Sequence, residues 1–420
     1  MTDRSLFVYV DIDSKPFLVG RLWARERRGR ETASFAYDES WLASHERFAL
    51  EPALTLGAGE YHTPVEKALF GALGDSAPDR WGRNLMRRAE RRRAGKEGRP
   101  PRTLLEIDYL LGVDDETRLG ALRFAERAGG PFLASEAATR VPPLVELPRL
   151  LSATERIANN DDDDEDIRLL LAPGSSLGGA RPKASVRDRD RSLAIAKFPH
   201  KDDDIPIVLW EAVALRLAAK AGIPVPEARI EQIAGKPVLI LRRFDRSGEQ
   251  RLPFLSAMSM IGAGDNEAHS YLEIADALRQ YGAAPAEDLA GLWRRVLFSI
   301  LISNTDDHLR NHGFLYVRGG GWRLSPAYDL NPVPTDIKAR VLTLAIDEED
   351  TTASFEIAIE TAPYYGLTRG QAQAIASEVA VAVSDWRQEA ARASLSSNQI
   401  ERMSSAFEHA DLDKASGSPK

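Results

Sequence analysis

The stretch that decides the fold is "SNTDDHLRNHGFLY" (residues 303–316), in which aspartates, histidines and asparagines precede an apolar run. Three interpretations of its polar centre are open: a catalytic centre, a metal site, or a polar turn at the end of a helix. His308 and His312 have the i, i+4 spacing of a zinc site on a helix. The residues between them lack the acid of that motif, and "HGF" indicates a helix break. A zinc site is therefore the less favoured interpretation.

The spacing of Asp306 and Asn311 indicates phosphoryl transfer instead. Protein kinases place the catalytic base and a metal-binding asparagine as D-x-x-x-x-N, and a second metal-binding aspartate follows. Here Asp329 follows in "AYDLNP", after a predicted hairpin around the glycines at 319–321. The alternatives are a polar helix cap for Asp306 and Asn311 and an Asx-turn for Asp329. Asp307 is interpreted as a neighbour of the base, and a shift by one position stays open.

The segment upstream contains the parts that hold a nucleotide in kinases. "SSLGGARPK" is a glycine-rich turn whose backbone N–H groups can approach phosphate oxygens, although it is not a Walker A motif. Lys197 ends the apolar strand "LAIAK", and Glu211 follows on an amphipathic helix, the arrangement by which kinases grip phosphates. "LILRRFD" would then be the strand and hinge on which adenine rests. The alternatives are an ordinary hairpin turn, an edge-strand lysine and a surface glutamate.

The serial order of these features carries more weight than any one of them. The order is glycine loop, strand lysine, helix glutamate, hinge strand, D-x-x-x-x-N, hairpin and aspartate. An unrelated sequence would rarely contain the whole series, and agreement between independent features supports a kinase-like domain. The sequence therefore predicts a phosphotransferase that uses ATP and Mg²⁺.

The composition is that of an ordinary globular protein, with 43% hydrophobic and 28% charged residues in a chain of 420. The net charge of -8 argues against a protein that binds nucleic acid mainly by electrostatics. The absence of cysteine excludes disulfides, cysteine-ligated zinc, iron–sulfur clusters and thiol catalysis. The first residues, "MTDRSLFVYVDIDSKP", lack the apolar core of a secretory signal. A cytoplasmic location without membrane contact is therefore expected.

The expected fold class is α+β, with an N-terminal α/β subdomain followed by a two-lobed protein-kinase-like domain whose C-terminal lobe is mainly helical. The expected boundaries are 1–135 for the subdomain, 136–250 for the N-lobe-like region, 251–410 for the helical lobe and 411–420 for a flexible tail. A basic cluster that ends a predicted helix, "RNLMRRAERRR", is interpreted as a solvated helix face, and an acidic run, "NNDDDDED", as an exposed loop or helix start. The alternatives are a patch that faces DNA and a metal-binding loop, although the acidic run lacks EF-hand spacing.

With these motifs in place, the chain resembles the HipA family of bacterial serine/threonine kinases, the toxin components of type II toxin–antitoxin pairs. "LGDSAPDRWGRNLM" resembles the N-terminal segment of the family. "GGARPK", "AKFP", "RRFDR", "NTDDHLRNHGF" and "SPAYDLNP" resemble its kinase-domain signatures. The resemblance spans nearly the whole chain and implies a kinase that requires ATP and Mg²⁺.

The resemblance also implies a role for each matching residue. Asp306 would be the catalytic base, and Asn311 and Asp329 would hold Mg²⁺ and contact the nucleotide. Lys197 would bind the ATP phosphates, with Glu211 as its supporting partner. The other residues expected at the nucleotide are Gly178, Gly179, Ala180, Arg181, Lys183, Arg243, Phe244, His308 and Tyr328.

Three positions near the glycine loop and the hinge bear on regulation and nucleotide contacts. Family members carry a serine before the loop whose autophosphorylation ejects the loop and silences the kinase. Ser176 is the matching position, and because Ser175 is adjacent, either or both could be modified. Arg242 stands where an acidic residue is often found, which leaves side-chain contacts at the hinge open. Pro182 stiffens the loop and removes one N–H donor.

The resemblance implies partners as well. A helix-turn-helix antitoxin of the HipB type would bind the toxin, so that any contact with DNA would be indirect. The implied protein substrate is an aminoacyl-tRNA synthetase, whose phosphorylation would arrest translation and growth and lead to persistence. Two alternatives stay open: a small-molecule kinase on the same scaffold, and a non-catalytic corepressor that acts with a DNA-binding antitoxin.

Overall fold

The structure, a computed structural model, describes residues 3–134, 141–171, 179–265 and 267–417. The chain divides into two compact units, each built from two separate stretches of sequence. Unit 1 comprises residues 1–202 and 231–255, and unit 2 comprises residues 203–230 and 256–420. Within the described ranges, no helix combines the length and the apolar composition needed to span a membrane.

The helices and strands follow one another along the chain in this order. Up to residue 125 they are β1 (Asp3–Ile12), β2 (Lys15–Arg27), β3 (Arg30–Tyr37), α1 (Glu39–Ala43), β4 (Glu60–His62), α2 (Gly71–Asp75), α3 (Arg80–Lys96), α4 (Glu106–Leu111) and β5 (Leu122–Ala125). The next are α5 (Leu147–Asn159), α6 (Asp164–Leu171), β6 (Lys183–Arg187), β7 (Leu193–Lys197), α7 (Ile207–Lys220), β8 (Ala228–Ile233), β9 (Lys236–Arg242), β10 (Arg246–Ser247), β11 (Gln250–Arg251) and β12 (Phe254–Ser256). The last are α8 (Ala257–Met260), α9 (Tyr271–Tyr281), α10 (Pro285–Leu301), β13 (Gly313–Val317), β14 (Gly321–Leu324), α11 (Phe355–Thr361), α12 (Arg369–Ser384), α13 (Trp386–Arg392), α14 (Ser397–Arg402), α15 (Ser404–Phe407) and α16 (Ala410–Ala415).

The first part of unit 1 is an antiparallel sheet in the order β4-β3-β2-β1-β5. Leu6, Leu22 and Phe35 lie opposite one another in three adjacent strands of this sheet. All three side chains are buried, because residues directly opposite one another in neighbouring strands point to the same face of the sheet and this face is covered. The runs "SLFVYVDI", "PFLVGRLWA" and "TASFAYD", which the sequence pattern predicts as strands between residues 5 and 37, are therefore confirmed.

The second part of unit 1 is the sheet that carries the glycine loop and Lys197. Strand β7 lies between β6 and β9, and both pairings are antiparallel. The apolar core beneath it combines residues of α5 and α6 with residues of the sheet, among them Leu150, Ile157, Leu170, Val186, Ala196 and Ile240. Trp81 and Leu85 of α3 belong to the same core. The helix α3 from the N-terminal part is thus packed directly against the sheet that carries Lys197.

The basic helix and the acidic run pair with each other in unit 1. Arg88 and Arg92 of α3 lie 2.6 and 2.9 Å from the carboxylate oxygens of the buried Asp162. Lys96 at the end of α3 pairs with Asp164 at the start of α6. The interpretation of the basic cluster as a solvated helix face holds for Lys96, which is 68% exposed, and the acidic run does begin a helix, α6, at Asp164. Asp162 is the exception, because it is buried and two arginines replace water as the partners of its carboxylate.

Unit 2 is mainly helical and is organised around α10. Trp293 and Phe298 of this helix are completely buried, and α9, α11 and α12 pack against it. A second apolar contact joins α7 to the C-terminal helices through aromatic rings. The rings of Trp386 and Phe407 stack with their centroids 4.7 Å apart, and Trp210 lies 6.1 Å from Phe407. The helical prediction for the last part of the chain is confirmed.

The predicted glycine hairpin is also confirmed and connects the two acidic motifs of unit 2. Strands β13 and β14 pair in antiparallel register from Phe314 opposite Leu324 to Val317 opposite Gly321. Gly321 has φ +112°, and a Cβ at this position would lie 2.7 Å from the Tyr281 carbonyl oxygen. Only glycine fits such a turn without displacing the neighbouring backbone.

Two segments differ from the expectation. The sequence pattern predicts helix from Pro64 to about Arg93, but this stretch forms two separate helices, α2 and α3, because Ser76 ends α2 and the side chain of Asp79 caps the start of α3. The sequence also predicts a flexible tail from residue 411, but residues 411–415 lie in α16. There the Asp411 carboxylate accepts a hydrogen bond from the Phe355 backbone N–H and lies 2.6 Å from Arg340 Nη1. Such specific partners order a chain end that composition alone suggests is frayed.

His409 should make the stability of unit 2 depend on pH. Burial and the nearby Arg340 lower the pKa of His409 to about 4, and its imidazole lies 3.2 Å from the Leu301 carbonyl oxygen. The folded state therefore holds the neutral ring, so this contribution is complete above pH ~6.5 and is lost as the pH falls toward 4. The loss should amount to about 3 kcal/mol. Urea unfolding of wild type and His409→Gln between pH 7 and 4 measures it, and parallel curves would contradict this role.

Candidate active site

The loop after α10 presents one of its two aspartates to solvent and buries the other. The chain turns sharply at Ser303, which has φ +52°, and leaves the helix. The side chain of Asp306 is exposed, whereas the side chain of Asp307 is only 4% exposed. An exposed carboxylate can reach a substrate hydroxyl, and a buried one cannot do so without moving the loop.

Asp307 is fully engaged by protein groups. Its carboxylate accepts hydrogen bonds from the Tyr271 hydroxyl at 2.7 Å and from the Ser299 hydroxyl at 3.0 Å. Its other oxygen lies 3.0 Å from Nε2 of His312. Burial raises the pKa of Asp307, but His312 and the hydrogen bonds outweigh it and hold the pKa below its ordinary value. Asp307 therefore anchors the loop as a carboxylate, which leaves Asp306 as the residue that is open to a substrate.

The side chain of Asn311 presents a buried acceptor on the same loop. Asn311 ends a short 3₁₀ turn, Leu309–Asn311, where its backbone N–H donates to the His308 carbonyl oxygen at 2.8 Å. Its side-chain Nδ2 donates to the Asp306 carbonyl oxygen at 3.1 Å. Its side-chain Oδ1 is buried and has no hydrogen-bond partner among the described residues. A buried acceptor without a donor costs about 1–3 kcal/mol, and a bound cation would remove that cost.

The segment that carries Asp329 is tied to the same loop by three hydrogen bonds. The Tyr328 hydroxyl donates to the Arg310 carbonyl oxygen at 2.7 Å. The Asn331 N–H donates to Asn304 Oδ1 at 3.1 Å. The Val333 N–H donates to the Ser303 carbonyl oxygen at 3.1 Å. Asp329 lies between these attachments with φ +58°, in the left-handed region that is uncommon for residues other than glycine, asparagine and aspartate.

These residues fit a magnesium ion chemically. Mg²⁺ prefers carboxylate and carboxamide oxygens, and Asn311 offers a buried Oδ1 without a donor beside a loop tied to Asp329. The side chain of Asn331 adds a second such acceptor, since its Oδ1 is also buried without a partner among the described residues. Its Nδ2 donates to Asp329 Oδ1 at 3.3 Å, which orients that carboxylate. Clusters of three or more His, Cys, Asp or Glu side chains suited to a metal do not occur in the described ranges.

The two histidines of the loop have different surroundings. His312 is buried against Asp307, and its ring meets the Tyr271 ring edge-on at a centroid distance of 5.6 Å. His308 is half-buried and lies at the start of the 3₁₀ turn. Its Nδ1 has no hydrogen-bond partner within the described part of the chain. His312 thus serves the fold, and the prediction that His308 borders the nucleotide remains a prediction.

The glycine loop and the strand lysine lie in unit 1. Lys183 stands opposite Lys197 in the β6–β7 pairing, and the Phe198 N–H donates to the Pro182 carbonyl oxygen at 3.0 Å. This register places the end of the loop beside the half-buried Lys197. The residues Gly179, Ala180 and Arg181 lie before β6, with Ala180 and Arg181 exposed. Gly178, Ser175 and Ser176 lie outside the described residues.

Lys183 is held by a protein carboxylate. Its Nζ lies 2.7 Å from Oδ2 of Asp79, and the two side chains are only 3% and 4% exposed. A buried ammonium needs such a partner because removal from water is costly. The structure therefore adds a structural role to a lysine that the sequence predicts at the nucleotide.

The predicted hinge contains a buried network of charges in unit 1. The Arg243 guanidinium donates to both oxygens of Asp245 at 2.6 Å and to the Thr117 carbonyl oxygen at 2.8 Å. Burial raises the pKa of Asp245, but Arg243 and Arg246 outweigh it and hold that pKa far below its ordinary range. Phe244 is half-buried and lies 6.2 Å from the Phe254 ring. The nucleotide roles of Arg243 and Phe244 stay predictions.

Glu211 lies on the buried face of α7 in unit 2 and is 2% exposed. The alternative of a surface glutamate is therefore wrong. A cavity of about 620 Å³ opens in unit 1 beside α3, α4 and α6, and its lining includes none of the predicted site residues that the structure describes.

Sequence reasoning missed three kinds of residue at the site. It did not identify the two hydroxyls that bind Asp307. Tyr271 is distant from Asp307 in the sequence, and Ser299 lies within helix α10. It did not single out Asn331, although "DLN" places an amide two residues after Asp329. It did not connect Asp79 with Lys183, which are 104 residues apart. Of these residues, only Asn331 could have been identified from a local sequence pattern.

Comparison with known sequences gives two family matches. Residues 175–386 match the model of the HipA-like C-terminal domain, and residues 10–107 match that of the HipA N-terminal domain. A Haemophilus influenzae protein named "Putative kinase" is 26% identical over 198 residues, covering 41% of this chain and 58% of that protein. A Sinorhizobium fredii protein named "Putative kinase Y4mE" is 26% identical over 361 residues, covering 79% of this chain and 77% of that protein. The first match thus spans less than two thirds of the length of its relative.

The fold is also similar to that of a solved structure. HipA from Shewanella oneidensis, in a toxin–antitoxin complex with HipB and operator DNA, superposes with a TM-score of 0.68. The superposition covers 98% of this chain and 96% of that chain, with 17% sequence identity. This similarity confirms the predicted fold class.

Proposed function

Because the chain belongs to the HipA-like family, we propose that it is an ATP- and Mg²⁺-dependent protein serine/threonine kinase. The proposal rests mainly on the loop that follows α10 in unit 2. There an exposed Asp306 is followed by Asn311, whose buried Oδ1 lacks a hydrogen-bond donor among the described residues. A phosphotransferase needs one group that receives a proton and others that bind a cation on phosphate.

In the proposed reaction each residue of the chain has one task. Asp306 accepts the proton of the attacking hydroxyl and orients it toward the terminal phosphate of ATP. Asn311 and Asp329 would hold Mg²⁺, which neutralises phosphate charge when it is bound. Lys197 and the N–H groups of the glycine loop bind phosphate oxygens. Asp307 keeps the loop in place without contacting the substrate.

The finer proposal is a toxin of a type II toxin–antitoxin pair. A HipB-type antitoxin would be its partner, and DNA would be contacted through that antitoxin. The protein substrate would be an aminoacyl-tRNA synthetase, whose phosphorylation arrests translation. Support comes from the family and from the solved relative, which is a HipA bound to HipB and operator DNA.

The regulatory part of the proposal is autophosphorylation at Ser176 or Ser175. A phosphate adds about -1.5 to -2 charges at pH 7 and would repel ATP from a loop that binds phosphates. Ser176→Ala, combined with Ser175→Ala, should give a kinase that stays active after incubation with ATP. Equal ATP binding by phosphorylated and unphosphorylated wild type would contradict this mechanism.

Brief expression in cells followed by mass spectrometry of phosphopeptides tests the proposed substrate class. New phosphoserine or phosphothreonine on host proteins, including a synthetase, is the expected result. Phosphate on a metabolite and on no protein would support a small-molecule kinase. Growth arrest that survives Asp329→Ala would support a non-catalytic corepressor.

Loss of the Asn311 side chain should change the requirement for Mg²⁺. Asn311→Ala removes the buried Oδ1, and we expect the Mg²⁺ concentration for half-maximal activity to rise about tenfold or more. Asn311→Asp retains an oxygen ligand and should lose less. Titration of Mg²⁺ at saturating ATP measures the change. The exposed Asn398→Ala in α14 is the matched control, and an unchanged Mg²⁺ requirement in Asn311→Ala would remove Asn311 from the metal site.

A further inference from the structure

The start of helix α3 is bound to both ends of the described part of the glycine loop. The Trp81 backbone N–H lies 3.4 Å from the Gly179 carbonyl oxygen, and the Trp81 indole Nε1 donates to the Lys183 carbonyl oxygen at 2.9 Å. Trp81 is buried in the core of the nucleotide-binding sheet. The loop thus has a rigid attachment that is distant in sequence.

The carboxylate of Asp79 strengthens the same attachment. One oxygen accepts from the Gly82 N–H at 2.9 Å and caps α3, and the other lies 2.7 Å from Lys183 Nζ. Both side chains of the ion pair are nearly inaccessible to water, so the pair holds its geometry and is little screened. Removal of one partner would leave an uncompensated buried charge.

The attachment bears on the phosphate site because of strand register. Lys183 lies directly opposite Lys197, and Gly179 has φ +91° at the other end of the held segment. A displacement of Lys183 would move the loop and β6 relative to Lys197. A shift of 1 Å in a positioning group can cost about 10²-fold in rate.

We propose that Asp79 and Trp81 are positioning residues of the nucleotide site, and that Lys183 fixes the glycine loop to α3 and does not itself bind phosphate. This inference rests on the proposed kinase function. It assigns a task in nucleotide binding to a segment of the N-terminal part of unit 1. It also gives the two lysines of the sheet different roles, because Lys183 fixes the loop and Lys197 binds the phosphates.

The experiment measures KM for ATP and kcat in the full-length protein, together with binding of a fluorescent ATP analogue in the presence of Mg²⁺. Asp79→Asn keeps a good helix cap but removes the charge that pairs with Lys183. We expect KM and the dissociation constant to rise about tenfold or more, with kcat changed much less. Asp79→Asn combined with Lys183→Met removes both charges, and nucleotide affinity should return close to the wild-type value.

Three results would overturn the inference. One is unchanged affinity in Asp79→Asn. A second is a double variant that remains as weak as Lys183→Met alone, because Lys183 would then bind the nucleotide directly. Asp162→Asn is the matched control, since it breaks pairs on the same helix that are distant from the loop, and it should leave affinity unchanged. An equal loss in that control would indicate general loosening of unit 1 and also overturn the inference. Wild type that binds no nucleotide would instead overturn the proposed function itself.

Discussion

Asp306→Asn is expected to reduce phosphate transfer by about 10²- to 10⁴-fold, the range over which a positioned general base contributes to a rate. The side chain of Asp306 is exposed. Asparagine has almost the same shape but cannot accept the proton of the attacking hydroxyl. The expected loss is therefore in kcat, and the affinity for ATP should change little. Steady-state kinetics with saturating ATP and Mg²⁺ would measure the two quantities separately.

The control for this variant is its stability. An exposed carboxylate away from special contacts changes the free energy of unfolding by only about 0.5 kcal/mol or less. Asp306→Asn should therefore unfold at the same urea concentration as wild type. If Asp306→Asn were both inactive and unfolded, the loss of activity would reflect a structural role of Asp306. A folded variant with full activity would remove Asp306 from catalysis.

Asp307→Ala is expected to have the opposite signature, with a large loss of stability. The substitution leaves the Tyr271 hydroxyl, the Ser299 hydroxyl and the His312 ring without the carboxylate they share. Removal of one member of a buried charged network costs about 3–5 kcal/mol. Activity would then fall because the loop that carries Asp306 is no longer held. Urea unfolding monitored by circular dichroism measures the change.

The pH dependence of Asp307→Asn provides a second readout of the same contact. Because the pKa of Asp307 lies below its ordinary value in the folded protein, its contribution is present above pH ~4 and is lost as the pH falls through the folded value. Wild type should therefore exceed Asp307→Asn in stability at pH 7, and the difference should shrink below pH ~4. A difference that is the same at pH 7 and pH 3 would exclude this electrostatic role.

The order of elements near the candidate site was predictable from the sequence because it depends on local signals. A short continuous apolar run marks β7, a sustained apolar face marks α7, and three glycines mark the β13–β14 turn. The five-residue spacing from Asp306 to Asn311 is likewise local. Each of these signals is contained within about twenty residues.

The contacts that distinguish one acid from its neighbour were not predictable in this way. Asp306 and Asp307 are adjacent and identical in type, and only their surroundings differ. The Tyr271 hydroxyl that donates to Asp307 belongs to the first residue of α9, and Tyr271 is 36 residues from Asp307 in the sequence. The pairing of Lys183 with Asp79 spans an even longer separation. Tertiary packing decides these contacts, and no local pattern in one sequence records it.

Transfer of label from γ-labelled ATP to protein, with wild type and Asp306→Asn compared side by side in the presence of Mg²⁺, tests the proposed activity most directly. We expect wild type to become labelled or to label an added protein, and Asp306→Asn to do neither while remaining folded. Labelling that is equal in the two proteins, or absent from wild type with Mg²⁺ present, would contradict the assignment of Asp306 as the base of a protein kinase.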